Sequence, residues 1–358
     1  AKTLVLLADN PRDFYEGQTA LAIVQDMREH GGLVTLADLA AYQPKWRVPV
    51  CGDFRQTKVC SMPPPSSGGV HLIEILNIIE DVPFAELGWH HPEGLHRMIE
   101  AMRTAYADRA EYLGDPAFVD VPVAGLTSKS YAKIRRNFIK DRARTSSEVK
   151  PGKREVLEAL AATTESSDTS HLTVVDSAHN AVSLTFTVNY PFGACVVAKN
   201  TGILLNDEMD DFSAKPGTPN AYGLVGGKAN AILPGKVPLS SMTPVIVVKD
   251  GKLRMAAGSP GGSTIITTSL QLVLNVLVYG MDAAAAVSAP RLHQQWLPDR
   301  VDVEPRGLDP AIWKALADKG NHLETHDPWG NANLVVVLPD GSLQGAADPR
   351  GEGIALGY

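Results

Sequence analysis

Residues 169–176, Thr169-Ser170-His171-Leu172-Thr173-Val174-Val175-Asp176, decide how this chain is read. They follow the polar run Ala161-Ala162-Thr163-Thr164-Glu165-Ser166-Ser167-Asp168 and open a stretch rich in β-branched residues, which suit a pleated surface. A threonine at the head of a strand is ordinary. It becomes chemistry if the backbone is cut between Asp168 and Thr169, because one residue then carries a hydroxyl and a free α-amine. The amine can take the hydroxyl proton, so such a residue is a nucleophile with its own base.

The flanks of this stretch give the architecture. Downstream, strands are predicted at 171–176 and 181–189 with a hairpin turn at His179-Asn180, then at 243–249 and 252–257 around Asp250-Gly251. Helices follow at 262–279 and 309–319, and a last hairpin spans 332–346. Upstream, residues 1–150 read mainly as helix. Gly17 to His30 places Leu21, Ile23, Val24 and Met27 at helical spacing before the stop Gly31-Gly32. Val50 to Met62 reads as strand, followed by the stiff loop Pro63-Pro64-Pro65-Ser66-Ser67-Gly68-Gly69 and a helix through Ile79. Gly94 to Gly114 is a long amphipathic helix with Leu95, Met98, Ile99, Met102 and Tyr106 on one face. The basic run 129–154, with Arg135, Arg136, Lys140, Arg142 and Arg144, reads as a solvated helix face. The mixture suits layers in the order helix, sheet, sheet, helix.

The chain has 358 residues, 44% hydrophobic and 20% charged, which is globular composition. A net charge of −7 argues against a nucleic-acid or anionic-membrane surface. No apolar run is long enough to cross a bilayer: Ile265 to Val278 is interrupted by Thr267, Thr268, Ser269, Gln271 and Asn275 and reads as a buried helix. Cys51, Cys60 and Cys195 have no metal-type spacing. Cys51 and Cys60 flank one short segment and could pair in an oxidising compartment; two buried thiols is the reading we favour from spacing alone. The chain opens without Met and without a signal peptide, as a fragment cut from a longer protein would. His90, His91, His171 and His293 lack zinc-type partners, so neither a metal nor a cofactor is expected.

Three segments carry candidate chemistry. Gly258-Ser259-Pro260-Gly261-Gly262-Ser263 lies between a strand and a helix, where glycines admit a close ligand and helix-start N–H groups face it. That suits an anion cradle or an oxyanion hole, with a plain strand-to-helix turn as the simpler reading. Asn206-Asp207-Glu208-Met209-Asp210-Asp211-Phe212-Ser213 could grip an ammonium or a metal, or be an acidic turn with an Asx cap. Ser240 and Ser241, in Pro238-Leu239-Ser240-Ser241-Met242-Thr243-Pro244, matter only if they meet those acids in space.

Taken in order, these motifs resemble the γ-glutamyltransferase (γ-glutamyltranspeptidase) family. So do Gly202-Ile203-Leu204-Leu205-Asn206, Tyr222-Gly223-Leu224-Val225-Gly226-Gly227, Ser61-Met62 leading into the triple-proline loop, Ala105-Tyr106-Ala107-Asp108-Arg109 with Tyr112-Leu113-Gly114-Asp115-Pro116, and Ala289-Pro290-Arg291 with Gln295-Trp296-Leu297-Pro298. The resemblance implies an N-terminal nucleophile hydrolase, an α+β four-layer αββα sandwich. Its precursor cuts itself at Asp168/Thr169, so that 1–168 is the end of a large subunit and 169–358 a small one. It implies that Thr169 attacks a γ-glutamyl amide such as glutathione and passes the glutamyl group to water or to an amino acid or peptide amine. Thr187 would hold the Thr169 amine, and Gly261 and Gly262 would supply the oxyanion N–H groups. Asn189, Glu208 and Asp211 would grip the substrate ammonium, Ser240 and Ser241 its carboxylate, and Tyr222 would sit on a lid.

The family also uses a carboxylate-pairing arginine from upstream of residue 1; no arginine in 1–168 falls in a matching motif, and none is assigned to that role. A relative that cleaves glutaryl side chains, such as a cephalosporin acylase, and a truncated non-catalytic relative are the competing readings. The implied partners are small molecules and the chain's own two subunits, with no nucleic acid. The implied location is periplasmic or extracellular.

Overall fold

The computed structural model describes residues 1–159, 171–220 and 222–358. Within them the chain divides into two compact units, residues 1–46 with 188–208, and residues 47–187 with 209–358. The Asp168/Thr169 boundary lies outside the described residues.

The first unit is built on helix α1 (Gln18–Glu29), which buries Thr19, Ala20, Ile23, Val24 and Asp26. The carboxylate of Asp26 accepts the main-chain N–H of Lys199 at 3.1 Å, which ties the helix to a small ladder of Val197–Ala198 with Ile203–Leu204.

The second unit centres on a six-stranded antiparallel sheet. Its edge is a hairpin of β1 (Val50–Phe54) and β2 (Thr57–Ser61), where the sequence reading has a single strand. The reversal occurs at Arg55 and Gln56, both at positive φ (47° and 65°), without a glycine or Asn-Gly pair to signal it. In this register Cys51 faces Cys60, with Cα atoms 4.1 Å apart, and the two form a disulfide. The favoured expectation of two thiols is thereby corrected: facing residues of an antiparallel pair come close enough to bridge, which spacing in sequence does not reveal.

Helix α2 (Gly68–Ile78) is apolar on nearly every side and wholly buried, and α3 (Pro92–Tyr112) packs against it. The start of α3 is fixed by Pro92 in its first turn and by His91, whose ring nitrogen accepts the Glu93 N–H at 3.2 Å. The basic run beyond it is helical over Lys129–Arg136 and again from Arg154; Lys140 and Arg142 are exposed as expected, but Arg135, Arg136 and Arg144 turn inward. Arg135 is buried against Asp108, Arg136 donates to the carbonyls of Asn77 and Ile78, and Arg144 reaches Glu100 and Thr104. These cations hold α2 and α3 from outside the apolar core.

The second hairpin, β3 (Leu172–Val175) and β4 (Ala181–Leu184), turns at His179 (φ 63°), with Asp176 accepting the N–H groups of Ala178 and Asn180. Strands β5 (Val245–Lys249) and β6 (Lys252–Gly258) follow, then helix α4 (Thr264–Leu277). Strands β7 (Asn333–Val337) and β8 (Leu343–Ala347) complete the sheet in the order β1-β2-β5-β6-β7-β8.

Alternation along β6 sorts the layers. Met255 and Ala257 join the apolar core with α2 and α4, while a Cβ at Gly258 would strike the His171 ring at the head of β3. Ser183 on β4 likewise donates to the carbonyl of Ala257 at 2.9 Å. Helices, sheet and hairpin are therefore consecutive α, β and β layers. The hairpin turns its small and polar residues toward the sheet and leaves Leu172, Val174, Val182, Leu184 and Phe186 exposed. Among the described residues no helix is long and apolar enough to cross a membrane.

Candidate active site

The turn between β6 and α4 is the first part of the site. Gly261 (φ 138°) and Gly262 (φ 56°) both occupy backbone that L side chains rarely adopt. The carbonyls of Gly261 and Gly262 accept the N–H groups of Thr264 and Ile265 at 3.1 and 3.2 Å, so the turn runs directly into the helix and aims amides outward at its N-terminus. Ser259 anchors the other side, its hydroxyl accepting the N–H of Asn331 at 3.2 Å. From α3, the buried Tyr106 hydroxyl donates to the Ser263 carbonyl at 2.5 Å.

Tyr222 closes over this turn. A Cβ on Gly262 would lie 2.6 Å from its ring, so only glycine leaves room for the aromatic cover. The Tyr222 carbonyl accepts from the Gln295 amide at 3.1 Å. Two of the expected groups, the glycine pair and the lid tyrosine, thus meet.

His171, directly before β3, packs against Gly258 at the start of the same turn. Its ring nitrogens contact the hydroxyls of Thr185 at 3.1 Å and Thr173 at 2.8 Å. Burial lowers the imidazole to about 4, so it is neutral at physiological pH. The strand Leu172–Val175 therefore starts, at His171, beside the glycine turn. Thr169 and Asp168 themselves lie outside the described residues. Thr187, half-buried, ends the segment that follows β4.

The second part is a cavity of about 130 Å³ lined by Arg109, Asp210, Asp211, Ser213, Asn220 and Asn230 among others. One oxygen of Asp210 and the hydroxyl of Ser213 are buried there without a hydrogen-bond partner. Buried polar groups without partners are uncommon in finished cores and are ordinary in sites that hold polar ligands. Arg109, the buried cation of this lining beside the exposed Lys215, is 5% exposed. Burial pulls its guanidinium below the usual value, Tyr106 and Asp211 oppose that, and it stays charged.

Ser240 and Ser241 are buried and do not line this cavity themselves; Ser241 reaches it through Arg109. Ser240 pairs with the triple-proline loop: its N–H donates to Pro65 at 2.9 Å and its carbonyl accepts from Ser67. Arg109 donates Nη2–H to Ser241 Oγ at 3.2 Å and Nε–H to Ser67 Oγ at 3.0 Å. Ser67 and Ser241 are thus joined through one arginine, which lines the cavity together with Asp211. Asn189 and Glu208 belong to the first unit. There the Asn189 side chain donates to the Asp207 carbonyl at 3.2 Å, and the Glu208 N–H is capped by Asn206 at 3.0 Å, the Asx cap foreseen for this turn.

Sequence reasoning missed Arg109. Its motif, Ala105-Tyr106-Ala107-Asp108-Arg109, was visible, but nothing in one dimension says which residue of a long helix faces a pocket.

The family model described as Gamma-glutamyltranspeptidase matches residues 1–358. This chain belongs to the gamma-glutamyltranspeptidase family. It is 50% identical over 361 residues to a glutathione hydrolase proenzyme of Escherichia coli K12, covering 100% of this chain and 61% of that protein. Among solved structures it superposes on a cephalosporin acylase from Bacillus halodurans with a TM-score of 0.85 at 28% identity, over 100% of this chain and 62% of the other. A mutant gamma-glutamyltranspeptidase from Helicobacter pylori matches at 49% identity with a TM-score of 0.50, over 51% of this chain and 99% of that one. The α+β layering is accordingly that of the N-terminal nucleophile hydrolases. The chain spans about three fifths of the length of the curated relatives it matches.

Proposed function

We propose that this chain carries the catalytic part of a γ-glutamyl transferase and glutathione hydrolase, with Thr169 as nucleophile after a cut at Asp168/Thr169. The Thr169 hydroxyl attacks the γ-glutamyl carbonyl, its proton passes to the residue's own α-amine, and that proton is handed to the departing amine. An acyl ester remains on Thr169. Water or an amino acid or peptide amine then attacks the ester and releases glutamate or a new γ-glutamyl amide. In this reading the amides of Gly261 and Gly262 stabilise the oxyanion, a role worth roughly 10²–10³ in rate per donor. Tyr222 covers them, and Thr187 steadies the nucleophile's amine.

The observation that carries the reading is the two-signed cavity. Its lining includes Asp210 and Asp211, which offer acid to an ammonium, and the cations Arg109 and Lys215, which suit a carboxylate; Arg109 in turn bonds Ser241 behind that wall. A substrate head with both charges fits such walls, and a glutaryl head, which lacks the ammonium, leaves the acids unanswered. Asn189 and Glu208 join the ammonium side in this proposal. The Cys51–Cys60 disulfide supports an oxidising location, periplasmic or extracellular.

The test is cleavage of γ-glutamyl-p-nitroanilide against glutaryl-p-nitroanilide, together with intact mass after incubation. Two fragments, a new terminus beginning Thr-Ser-His and preference for the γ-glutamyl amide are expected. Thr169→Ala is expected to stay uncut and inactive. Efficient cutting at 168/169 in that variant refutes the nucleophile assignment, and preference for the glutaryl amide refutes the substrate.

A further inference from the structure

We propose that Arg109 is the positioning residue of the carboxylate subsite: it fixes the Ser241 hydroxyl as a donor toward a carboxylate-bearing substrate. This rests on the functional reading above and deepens it, since neither motif nor family resemblance assigned the role to any residue of this chain.

The argument is one of proton direction. A guanidinium has five N–H donors and no acceptor. Whatever touches Arg109 at Nη2 must therefore accept, and the atom that does so is Ser241 Oγ, 3.2 Å away. A serine hydroxyl holds one proton and two lone pairs. Once a lone pair is given to Arg109, the Ser241 proton is directed elsewhere, and acceptance from a cation makes that O–H a stronger donor. Ser67 is held by the same logic. It accepts Nε–H from Arg109 at 3.0 Å and delivers its own proton to the Ser240 carbonyl at 2.8 Å. One guanidinium thus sets two hydroxyl rotors and leaves only Ser241 with a proton for a ligand.

Burial gives the arrangement its leverage. Ser67 is 0% exposed, Arg109 5% and Ser241 7%, so water competes weakly for these bonds. The geometry is also held from three directions: α3 carries Arg109, the start of α2 carries Ser67, and the segment before β5 carries Ser241. A Cβ on Gly68 would sit 2.0 Å from the Met242 carbonyl, so α2 and that segment touch backbone to backbone. Arg109 also lines the cavity that holds Asp210 and Asp211, so the group that orients Ser241 borders the space a charged substrate head would enter.

Three anilides test the role, each read as KM and kcat: γ-glutamyl, with ammonium and carboxylate; glutaryl, with carboxylate only; and 4-aminobutyryl, with ammonium only. Arg109→Met is expected to raise KM for the two carboxylate substrates roughly 10- to 100-fold, the worth of a hydrogen bond to a charged group, with 4-aminobutyryl changed less than about two-fold. Arg109→Lys keeps the charge but cannot span both serines. It is expected to restore only part of the loss, and it provides the same selectivity readout should Arg109→Met fail to fold. Ser241→Ala combined with either variant should add little, since both act on one hydroxyl. Equal losses on all three amides, or none, overturn the positioning role while leaving the enzyme reading intact. A native chain that cleaves no amide overturns the enzyme reading, and this role falls with it.

Discussion

Substituting Gly262 by alanine tests whether Tyr222 covers the glycine turn. Two costs can be separated. The backbone at Gly262 has φ 56°, and a side chain there costs about 1–2 kcal/mol. The added Cβ would also lie 2.6 Å from two carbons of the Tyr222 ring, whereas ordinary contact begins at 3.4 Å. Pushing the ring back by the difference is an overpacking cost of about 1–3 kcal/mol. Gly262→Ala alone should therefore destabilise by about 2–5 kcal/mol. In a Tyr222→Ala background the second cost disappears and only about 1–2 kcal/mol remains. Urea unfolding of the four members of this cycle, read as midpoints at constant slope, gives a coupling of about 1–3 kcal/mol between the two positions. If Gly262→Ala costs the same with and without the tyrosine ring, to within about 0.5 kcal/mol, the ring does not lie over the turn and the lid assignment is wrong.

His171, held near 4 by burial, takes up no proton while the unfolded chain, with an imidazole near 6.5, does. The stability it contributes is complete above pH 6.5 and drains as pH falls toward 4, by up to about 1.4 kcal/mol per unit. His171→Gln should flatten the stability profile in that window, and an imidazole resonance titrating near 6.5 in the native protein would refute the assignment. For the Cys51–Cys60 bridge, which closes a sequence separation of 9, loop entropy gives about 2–3 kcal/mol. Cys51→Ala with Cys60→Ala should lower the thermal midpoint accordingly, and an unchanged midpoint would mean that the sheet edge needs no bridge.

Much of the fold was legible because its signals are local. The helices 68–78, 92–112 and 264–277 carry apolar patterns with clear stops, and the hairpins at His179 and Asp250-Gly251 carry turn residues. The β1–β2 hairpin was hidden because Arg55 and Gln56 take positive φ without the residues that usually mark it. The basic run misled for another reason. Composition reports charge but not pairing, and Arg135, Arg136 and Arg144 spend theirs on groups 27 to 59 residues away. At β3–β4 alternation announced a strand, yet not which face looks inward. A small, polar face suits close approach to Ala257 and Gly258, so the apolar side chains point out. In the site, the glycine turn and the serine pair were legible as motifs. Arg109 was not, because its placement depends on rotation about α3 and on two hydroxyls distant in sequence.

That rotation is set by more than apolar packing. Arg109 directly follows Asp108, so one turn of α3 brings a buried cation and a buried anion into the core together. Asp108 is met by the Tyr131 hydroxyl at 2.8 Å, the Gly152 N–H at 2.6 Å and Arg135. Facing it from α2 is Glu74, fully buried, whose carboxyl is pushed well above the usual range by burial first and by the charge of Asp108 next, so it enters the core as a neutral acid. Each desolvated ion costs several kcal/mol unless its hydrogen bonds are met. A slip or roll of α3 that would be tolerable for leucines would strand both ions at once. The α3 register that satisfies Asp108 is the one that delivers Arg109 to Ser67 and Ser241. The buried acid cluster, which does not line the cavity, therefore sharpens the geometry of the site: weakening it should loosen the Arg109–Ser241 bond before it unfolds the helix.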